Sequence, residues 1–366
     1  MRKISSILLS VIFLAALFLA VMVKETADDE DCSRIALAAT SLTEPTKADL
    51  LQTEIENELR QQSFKGTALI IRDRQLLYQA SFGYADVKKK LLNAENVAYP
   101  IASLEKVITG VMIQQLVSEK LVTYDTTVAA FYPELKENPP ITLRQLLDQT
   151  SGIRMTESTP DHLLTTEKEQ LGYTLTELTS GNQQEFSYTN ANYTLLAGII
   201  SRLTGKSYEE NLQERIIRPL HLNHTWSWDQ LPENAVKPQA YLHEKGKDYQ
   251  PDPFENSDRL FSSLLGAGNL YMTATDMWRL QQGMTDGRLL TETQYRQLAD
   301  IDSEEYSGGL WHTAGRKVIH GSLGGFDTAV YGDETNETLV ILFGNQAPAD
   351  GADTLAETLF DLVSRH

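Results

Sequence analysis

The sequence contains one cysteine, Cys32, among its 366 residues. A single thiol excludes an internal disulfide framework and a zinc or iron–sulfur site built from several cysteines. Basic residues are also few, since 32 lysines and arginines stand against 50 aspartates and glutamates, for a net charge of −18. Because polyanion binding through phosphates requires a surface rich in lysine and arginine, this composition argues against a non-specific nucleic-acid-binding protein.

The sequence also lacks internal repeats and low-complexity tracts. Hydrophobic residues make up 41% of the chain and charged residues 22%, which excludes a mostly disordered, collagen-like or coiled-coil protein. It has no His-Glu-x-x-His sequence and no glycine-rich phosphate-binding loop. We therefore expect a folded protein that uses no metal ion and no other cofactor.

One long hydrophobic run is present near the start of the chain, from Ile4 to Val23. As an α-helix it would extend about 30 Å, which is enough to cross a bilayer. Arg2 and Lys3 precede the run and an acidic segment follows it, which favours an inside-to-outside orientation. Since no small-x-small cleavage site follows the run, a retained signal anchor is favoured over a cleaved signal peptide.

These features divide the chain into three predicted parts. We expect a transmembrane signal anchor over 1–23, a polar and acidic stalk over 24–46, and one domain over 47–366. The protein is therefore expected to be a single-pass protein of the cell membrane, with its domain on the extracellular side.

Strand-like runs lie at both ends of the predicted domain, and helical periodicity dominates its middle. Strands are predicted over 67–72, 76–82, 309–313, 317–320, 328–331 and 338–343, and helices over 47–61, 104–121, 143–147, 193–203, 208–217 and 355–363. This order predicts an α+β fold in which C-terminal strands complete an antiparallel sheet, with helices on its faces and a helical region inserted between its strands.

Ser103 and Lys106 form a Ser-x-x-Lys sequence at the start of a strongly apolar predicted helix. Residues three apart share a face of a helix, so the two side chains are expected to meet. A serine hydroxyl becomes an effective nucleophile when a neighbouring base takes its proton, and the free N–H groups of a helix start can stabilise an oxyanion. Taken alone, the sequence is equally typical of an N-cap serine with a surface lysine.

Two further sequence elements carry groups suited to the same chemistry. Tyr188 and Asn190 form a Tyr-x-Asn sequence, in which a phenol can relay protons and an amide can bind a substrate carbonyl. His320, Gly321 and Ser322 run from a predicted strand into a glycine-rich turn, where a substrate backbone can approach closely. A turn with a packing tyrosine and a solvent-facing histidine are the plain structural alternatives.

In this order the three elements resemble the serine penicillin-recognising family, which comprises penicillin-binding DD-peptidases, class C-type β-lactamases and related esterases. That family carries Ser-x-x-Lys, then Tyr-x-Asn or Ser-x-Asn, then Lys-Thr-Gly or His-x-Gly. The resemblance covers about residues 47–366 and includes the blocks 84–86, 99–103, 141–152, 188–193, 218–220, 266–270 and 324–326. It implies a β-lactamase/transpeptidase-like fold with an all-α subdomain over the site.

The resemblance also implies roles for the motif residues. Ser103 would be the acylated nucleophile and Lys106 its proton acceptor, while Tyr188 would help to activate water for deacylation. The backbone N–H groups of Ser103 and Ser322 would form the oxyanion hole.

The substrate-binding residues implied by the family are Asn190, which would hold a substrate amide, and the strand residues His320, Gly321 and Ser322. The third motif departs from the family pattern. Aligned without a gap, its lysine position holds Ile319, whereas one deleted residue would place His320 there. Either register lacks the lysine that helps the family to bind an anionic carboxylate.

The resemblance implies a cell-envelope serine hydrolase that forms an acyl-enzyme with D-alanyl groups of the cell wall. Its partner would be a peptidoglycan stem peptide, as for a DD-carboxypeptidase, or D-alanylated teichoic acid, as for a D-alanyl esterase. The missing lysine favours the ester, which carries an ammonium group and no carboxylate. The competing interpretations are a β-lactamase and a non-catalytic, membrane-tethered penicillin-binding-like protein, and no nucleic-acid partner is expected.

Overall fold

A computed structural model describes residues 46–136, 139–303 and 305–366. The chain divides into two compact units, 1–52 and 53–366, and of the first unit residues 46–52 are described. The predicted anchor and nearly all of the predicted stalk lie outside the described residues, so the three-part division stays a prediction. None of the helices in the described ranges is long and apolar enough to cross a membrane.

The strands of the described chain come in two groups, one before and one after a long helical stretch. They are β1 (Lys65–Arg72), β2 (Gln75–Phe82), β3 (Tyr84–Asp86), β4 (Leu91–Leu92), β5 (Tyr99–Pro100), β6 (Ile153–Met155), β7 (Leu178–Ser180), β8 (Thr225–Ser227), β9 (Tyr241–Glu244), β10 (Lys247–Pro251), β11 (Leu270–Met272), β12 (Tyr306–Ser307), β13 (Leu310–Thr313), β14 (Arg316–Leu323), β15 (Phe326–Asp333) and β16 (Leu339–Gln346).

The main sheet is antiparallel in the order β2, β1, β16, β15, β14, β13, β12, and β9 and β10 extend it from the end of β16. Strands β15 and β16 are buried at nearly every residue, as expected of central strands that are covered on both faces. A tight hairpin joins β1 and β2, with Asp73 and Arg74 at positive φ as in a type I′ turn. The predicted completion of the sheet by C-terminal strands is confirmed.

The helices of the described chain flank this sheet and fill the region between its two groups of strands. They are α1 (Lys47–Gln61), α2 (Glu105–Ser118), α3 (Leu143–Leu147), α4 (Glu167–Glu177), α5 (Asn190–Thr204), α6 (Tyr208–Leu212), α7 (Arg218–Leu220), α8 (Asp258–Ser262), α9 (Ala274–Gly283), α10 (Glu292–Ala299) and α11 (Ala352–Arg365).

Helix α2 is the central helix of the hydrophobic core. Its apolar residues point in all directions and are buried, including Val107, Ile108, Val111, Met112 and Leu116. A helix that is hydrophobic all round is a core helix. Charged residues at its start must therefore find partners within the protein.

The structure corrects several of the elements predicted from the sequence. The helix predicted over 208–217 consists of α6 and a π-helical turn over Gln213–Ile217, and α7 follows directly with Pro219 in its first turn. Proline is tolerated there because the first turn of a helix needs no N–H donor from it. Helices α4, α8, α9 and α10 were not predicted, although each begins at a threonine or serine N-cap, namely Thr166, Ser257, Thr273 and Thr291.

Candidate active site

Ser103 lies in a single 3-10 turn, Ala102–Leu104, between strand β5 and helix α2. Ala102 adopts a left-handed conformation with φ of 48°, which costs a residue other than glycine about 1–2 kcal/mol. Gly268 packs closely on this turn, since a Cβ at Gly268 would lie 3.3 Å from the Ala102 carbonyl carbon. This tight packing fixes the turn that presents Ser103.

Lys106 is fully buried and lies one turn along from Ser103. Its Nζ is 3.0 Å from Ser103 Oγ, 2.7 Å from Asn190 Oδ1 and 2.8 Å from the carbonyl oxygen of Ala267. The amide and carbonyl oxygens can only accept, so they engage two N–H groups of the amine. These two acceptors hold Nζ within hydrogen-bond distance of the Ser103 hydroxyl, which is the placement that a general base requires.

Glu105, the neighbour of Lys106, is also fully buried. Its carboxylate accepts hydrogen bonds from the backbone N–H groups of Asn269 and Leu270, which follow closely on the Ala267 carbonyl. Burial raises the pKa of Glu105 to about 8, although these hydrogen bonds and the charge of Lys106 oppose the rise. Glu105 was not among the site residues predicted from the sequence. The feature that could have indicated it is a second charged residue at the start of a helix that is otherwise apolar.

The second predicted motif lies beside the first. Asn190 begins helix α5 with Thr189 as its N-cap, and its side-chain oxygen contacts Lys106. Tyr188 precedes the cap, and its ring centre lies 5.0 Å from Lys106 Nζ. Because Tyr188 is 46% exposed, it forms part of the solvent-facing wall of the site.

Glu157, which the sequence did not predict, contacts the same motif. Its Oε1 accepts hydrogen bonds from Thr189 Oγ1 at 3.0 Å and from the backbone N–H of Asn190 at 2.9 Å. Its Oε2 accepts from Asn190 Nδ2 at 2.7 Å. The Asn190 amide is thus engaged at both ends, by Lys106 and by Glu157, and its Nδ2 keeps one N–H for a substrate.

The third predicted motif reaches the nucleophile through its glycine. A Cβ on Gly321 would lie 2.6 Å from the Ile101 carbonyl oxygen and 2.9 Å from Ser103 N. A side chain at this position would therefore separate strand β14 from the nucleophile turn, and glycine permits the close approach.

Strand β14 has a free edge next to this contact. Strand β13 pairs with β14 over residues 316–318, so residues 319–323 have no partner on that side among the described strands. Ser322 lies within this free edge and is exposed. Unpaired backbone groups of a strand edge can bind an extended substrate.

His320 takes no part in any hydrogen bond with the Ser103, Lys106 and Asn190 cluster within the described chain. Side chains alternate along a strand, so His320 points to the face opposite Gly321. Its Nε2 lies 2.6 Å from Asp327 Oδ1. Burial alone would lower the pKa of His320, but the hydrogen bond and the charge of Asp327 raise it above the usual value. The substrate-binding role of His320 stays a prediction.

Aromatic side chains that the sequence did not single out flank Tyr188. The ring centre of Tyr306 lies 5.9 Å from that of Tyr188, and Phe186 and Trp311 pack against Tyr306 at 5.8 and 5.3 Å. Phe186 and Trp311 are 48% and 43% exposed. They give the site an apolar wall on the side of Tyr188.

An antiparallel sheet flanked by helices, with a Ser-x-x-Lys sequence at the start of a buried central helix, defines the β-lactamase/transpeptidase-like class of proteins. The chain belongs to the Beta-lactamase family, whose family model matches residues 51–363. The family resemblance predicted from the motifs is thereby confirmed.

Two individual relatives are also similar to this chain over most of its length. PbpX of Bacillus subtilis, a candidate penicillin-binding protein, is 29% identical over 303 residues, which cover 80% of this chain and 73% of PbpX. The teichoic acid D-alanine hydrolase of Staphylococcus aureus is 29% identical over 266 residues, which cover 72% of this chain and 62% of that enzyme. The chain thus spans less than two thirds of the length of that hydrolase.

Solved structures match the fold. The crystal structure of FmtA from Staphylococcus aureus superposes with a TM-score of 0.76 at 25% identity, over 88% of this chain and 93% of FmtA. The crystal structure of a D-amino acid amidase from Ochrobactrum anthropi superposes with a TM-score of 0.69 at 20% identity, over 86% of this chain and 99% of that one. At this lower identity, the second match supports the fold alone.

Proposed function

We propose that the chain is a serine hydrolase that acts on D-alanyl groups of the bacterial cell wall through an acyl-enzyme on Ser103. The observation that carries the proposal is the fully buried Lys106 amine, 3.0 Å from Ser103 Oγ and held by two acceptors. The similarity to a teichoic acid D-alanine hydrolase supports the substrate class.

In the proposed reaction, Ser103 Oγ attacks the D-alanyl carbonyl carbon while its proton passes to Lys106 Nζ. The backbone N–H groups of Ser103 and Ser322 stabilise the negative charge that develops on the carbonyl oxygen. The polymer hydroxyl departs with the proton from Lys106 and leaves a D-alanyl ester on Ser103. A water molecule, activated with the help of Tyr188, then attacks this ester and releases D-alanine.

We favour the ester of D-alanylated teichoic acid as the substrate over a peptidoglycan stem peptide. A stem peptide ends in a carboxylate, which calls for a cation on strand β14. The Ile319 side chain is apolar and buried, and it lies on the same face of strand β14 as Gly321. It therefore supplies no cation there. The nearest lysine on the strand, Lys317, is fully buried and donates to Gln281 Oε1 at 2.9 Å, so it is committed elsewhere.

Release of D-alanine tests this proposal directly. The full-length protein is incubated with D-alanylated teichoic acid and, separately, with muropeptides that end in D-Ala-D-Ala. Faster release from teichoic acid is expected, and a Ser103→Ala variant should release none above background. Release from muropeptides alone would contradict the ester preference.

Covalent labelling separates the competing functions. A fluorophosphonate should label the wild-type protein and spare the Ser103→Ala variant. Absence of both labelling and D-alanine release would favour a non-catalytic, penicillin-binding-like protein. Rapid hydrolysis of a penicillin would favour a β-lactamase.

We further propose that residues 1–23 anchor the protein in the cell membrane and that the acidic stalk 24–46 holds the domain 47–366 outside. The basic residues before the hydrophobic run and the acidic residues after it support this orientation. The full-length protein should sediment with membranes and be cleaved by protease added to intact cells. Recovery of a mature chain that starts after the run would contradict a retained anchor.

A further inference from the structure

We infer that Glu157 binds the ammonium group of the D-alanyl substrate and is a specificity-determining residue of this site. This assignment rests on the proposed function and goes beyond it, because it names the group that distinguishes a D-alanyl ester from other esters. It follows from the hydrogen bonding of Glu157, from its charge and from its contact with Asn190, which also binds Lys106.

The hydrogen bonding of Glu157 leaves room for one more donor. An ionised carboxylate offers about four lone-pair positions on its two oxygens. Oε1 accepts from Thr189 Oγ1 and Asn190 N, so both of its positions are used. Oε2 accepts from Asn190 Nδ2 alone, which leaves one position open. Since Glu157 is exposed, a ligand can reach that position.

The charge of Glu157 is not balanced by a neighbour. Its three donors are neutral groups, and no lysine, arginine or histidine nitrogen of the described ranges forms an ion pair with it. The nearby amine of Lys106 contacts the opposite end of the Asn190 amide. A carboxylate surrounded by neutral donors attracts a cation, and an ammonium donor forms a stronger hydrogen bond to it than a neutral donor does.

The position of Glu157 suits the substrate. In a D-alanyl ester the ammonium is carried by the carbon next to the reacting carbonyl, so its partner must lie close to the nucleophile. Glu157 is linked to the nucleophile through Asn190: its Oε2 lies 2.7 Å from Asn190 Nδ2, and Asn190 Oδ1 lies 2.7 Å from Lys106 Nζ, the partner of Ser103.

A purely structural role is the alternative. Glu157 contacts the first N–H group of helix α5, where a carboxylate is stabilising in any protein. In that case its loss would disturb Asn190 and affect all substrates alike. Recognition of the ammonium predicts instead an effect confined to substrates that carry it.

Two esters that differ only in the ammonium separate these alternatives. The full-length protein is assayed with the nitrophenyl ester of D-alanine and with nitrophenyl propionate, which lacks only the amino group. Glu157→Gln preserves the shape of the side chain and removes its charge. Its kcat/KM for the D-alanine ester is expected to fall about 10- to 100-fold, while that for the propionate ester should change less than about threefold.

Glu185→Gln is the matched control, because Glu185 is an exposed carboxyl that accepts from Asn182 on the loop before Tyr188. It should leave the ratio of the two kcat/KM values unchanged. An equal loss on both esters in Glu157→Gln would overturn the assignment and leave the proposed function standing. If the wild-type protein hydrolyses neither ester and releases no D-alanine, the proposed function itself fails and the assignment falls with it.

Discussion

Lys106 Nζ lies 2.7 Å from the side-chain oxygen of Asn190, and this contact joins two motifs 84 residues apart. This contact is shorter than the 3.0 Å between Lys106 Nζ and Ser103 Oγ. Asn190 and the Ala267 carbonyl hold Lys106 independently of Ser103, so the lysine keeps two partners when Ser103 is acylated.

Replacement of Lys106 by methionine is expected to lower kcat for a D-alanyl ester by about 10²- to 10⁴-fold, because it removes the proposed general base while preserving an unbranched side chain. The measurement is steady-state hydrolysis, with thermal unfolding as a check of folding. Lys317→Met is the matched control, since Lys317 is the same residue type and equally buried. A comparable loss of kcat in both variants would show that the loss comes from removing a buried amine in general. It would contradict a specific role of Lys106 as the base.

Replacement of Tyr188 by phenylalanine keeps the ring that packs near Lys106 and Tyr306 and removes the hydroxyl. If the hydroxyl helps water to attack the acyl-enzyme, deacylation should slow by about 10²- to 10⁴-fold and the acylated protein should accumulate. Intact-protein mass spectrometry during turnover measures this fraction. Tyr84→Phe, at a residue that is 37% exposed in strand β3, should accumulate no more acyl-enzyme than wild type. Unchanged turnover in Tyr188→Phe would remove Tyr188 from the mechanism.

Replacement of Gly321 by alanine tests the contact between strand β14 and the nucleophile turn. The new Cβ would lie 2.9 Å from Ser103 N, so the strand or the turn must shift. We expect a loss of about 1–3 kcal/mol in the free energy of unfolding and roughly a 100-fold loss of kcat/KM.

Gly172→Ala provides the comparison for this variant. Gly172 lies inside helix α4, and a Cβ there meets no atom within 4 Å. The change should raise the free energy of unfolding by about 0.5–1 kcal/mol and leave activity unaltered. Wild-type activity in Gly321→Ala would mean that the strand does not pack on Ser103 as described.

The parts of the site that the sequence could predict depend on short-range geometry. Ser103 and Lys106 meet because residues three apart share a helical face, and the start of α5 places Asn190 beside an N-cap. The parts that it could not predict depend on long-range packing. Glu157 reaches Asn190 across 33 residues, and no local pattern marks it.

The direction of the His320 side chain illustrates the same limit. A shift of one residue in the register of a strand reverses the face to which every side chain points. The motif alone left two registers open, and the contact of Gly321 with Ser103 places Ile319 and His320 on opposite faces of β14. That contact is fixed by the packing of strand β14 against the turn Ala102–Leu104, which a single motif does not encode.

Replacement of Glu105 by glutamine should change how stability depends on pH. Burial raises the pKa of Glu105 from 4.5 to about 8 in the folded protein, so the folded state binds its proton more tightly than the unfolded chain does. Stability contributed by this group is therefore lost as pH rises from about 4.5 to about 8. Glutamine still offers an oxygen to the N–H groups of Asn269 and Leu270 but does not ionise. Relative to wild type, the unfolding free energy of the variant should rise by on the order of 3 kcal/mol between about pH 5 and about pH 8, measured by denaturant titration. A difference that stays constant over this range would mean that Glu105 is ionised in both states.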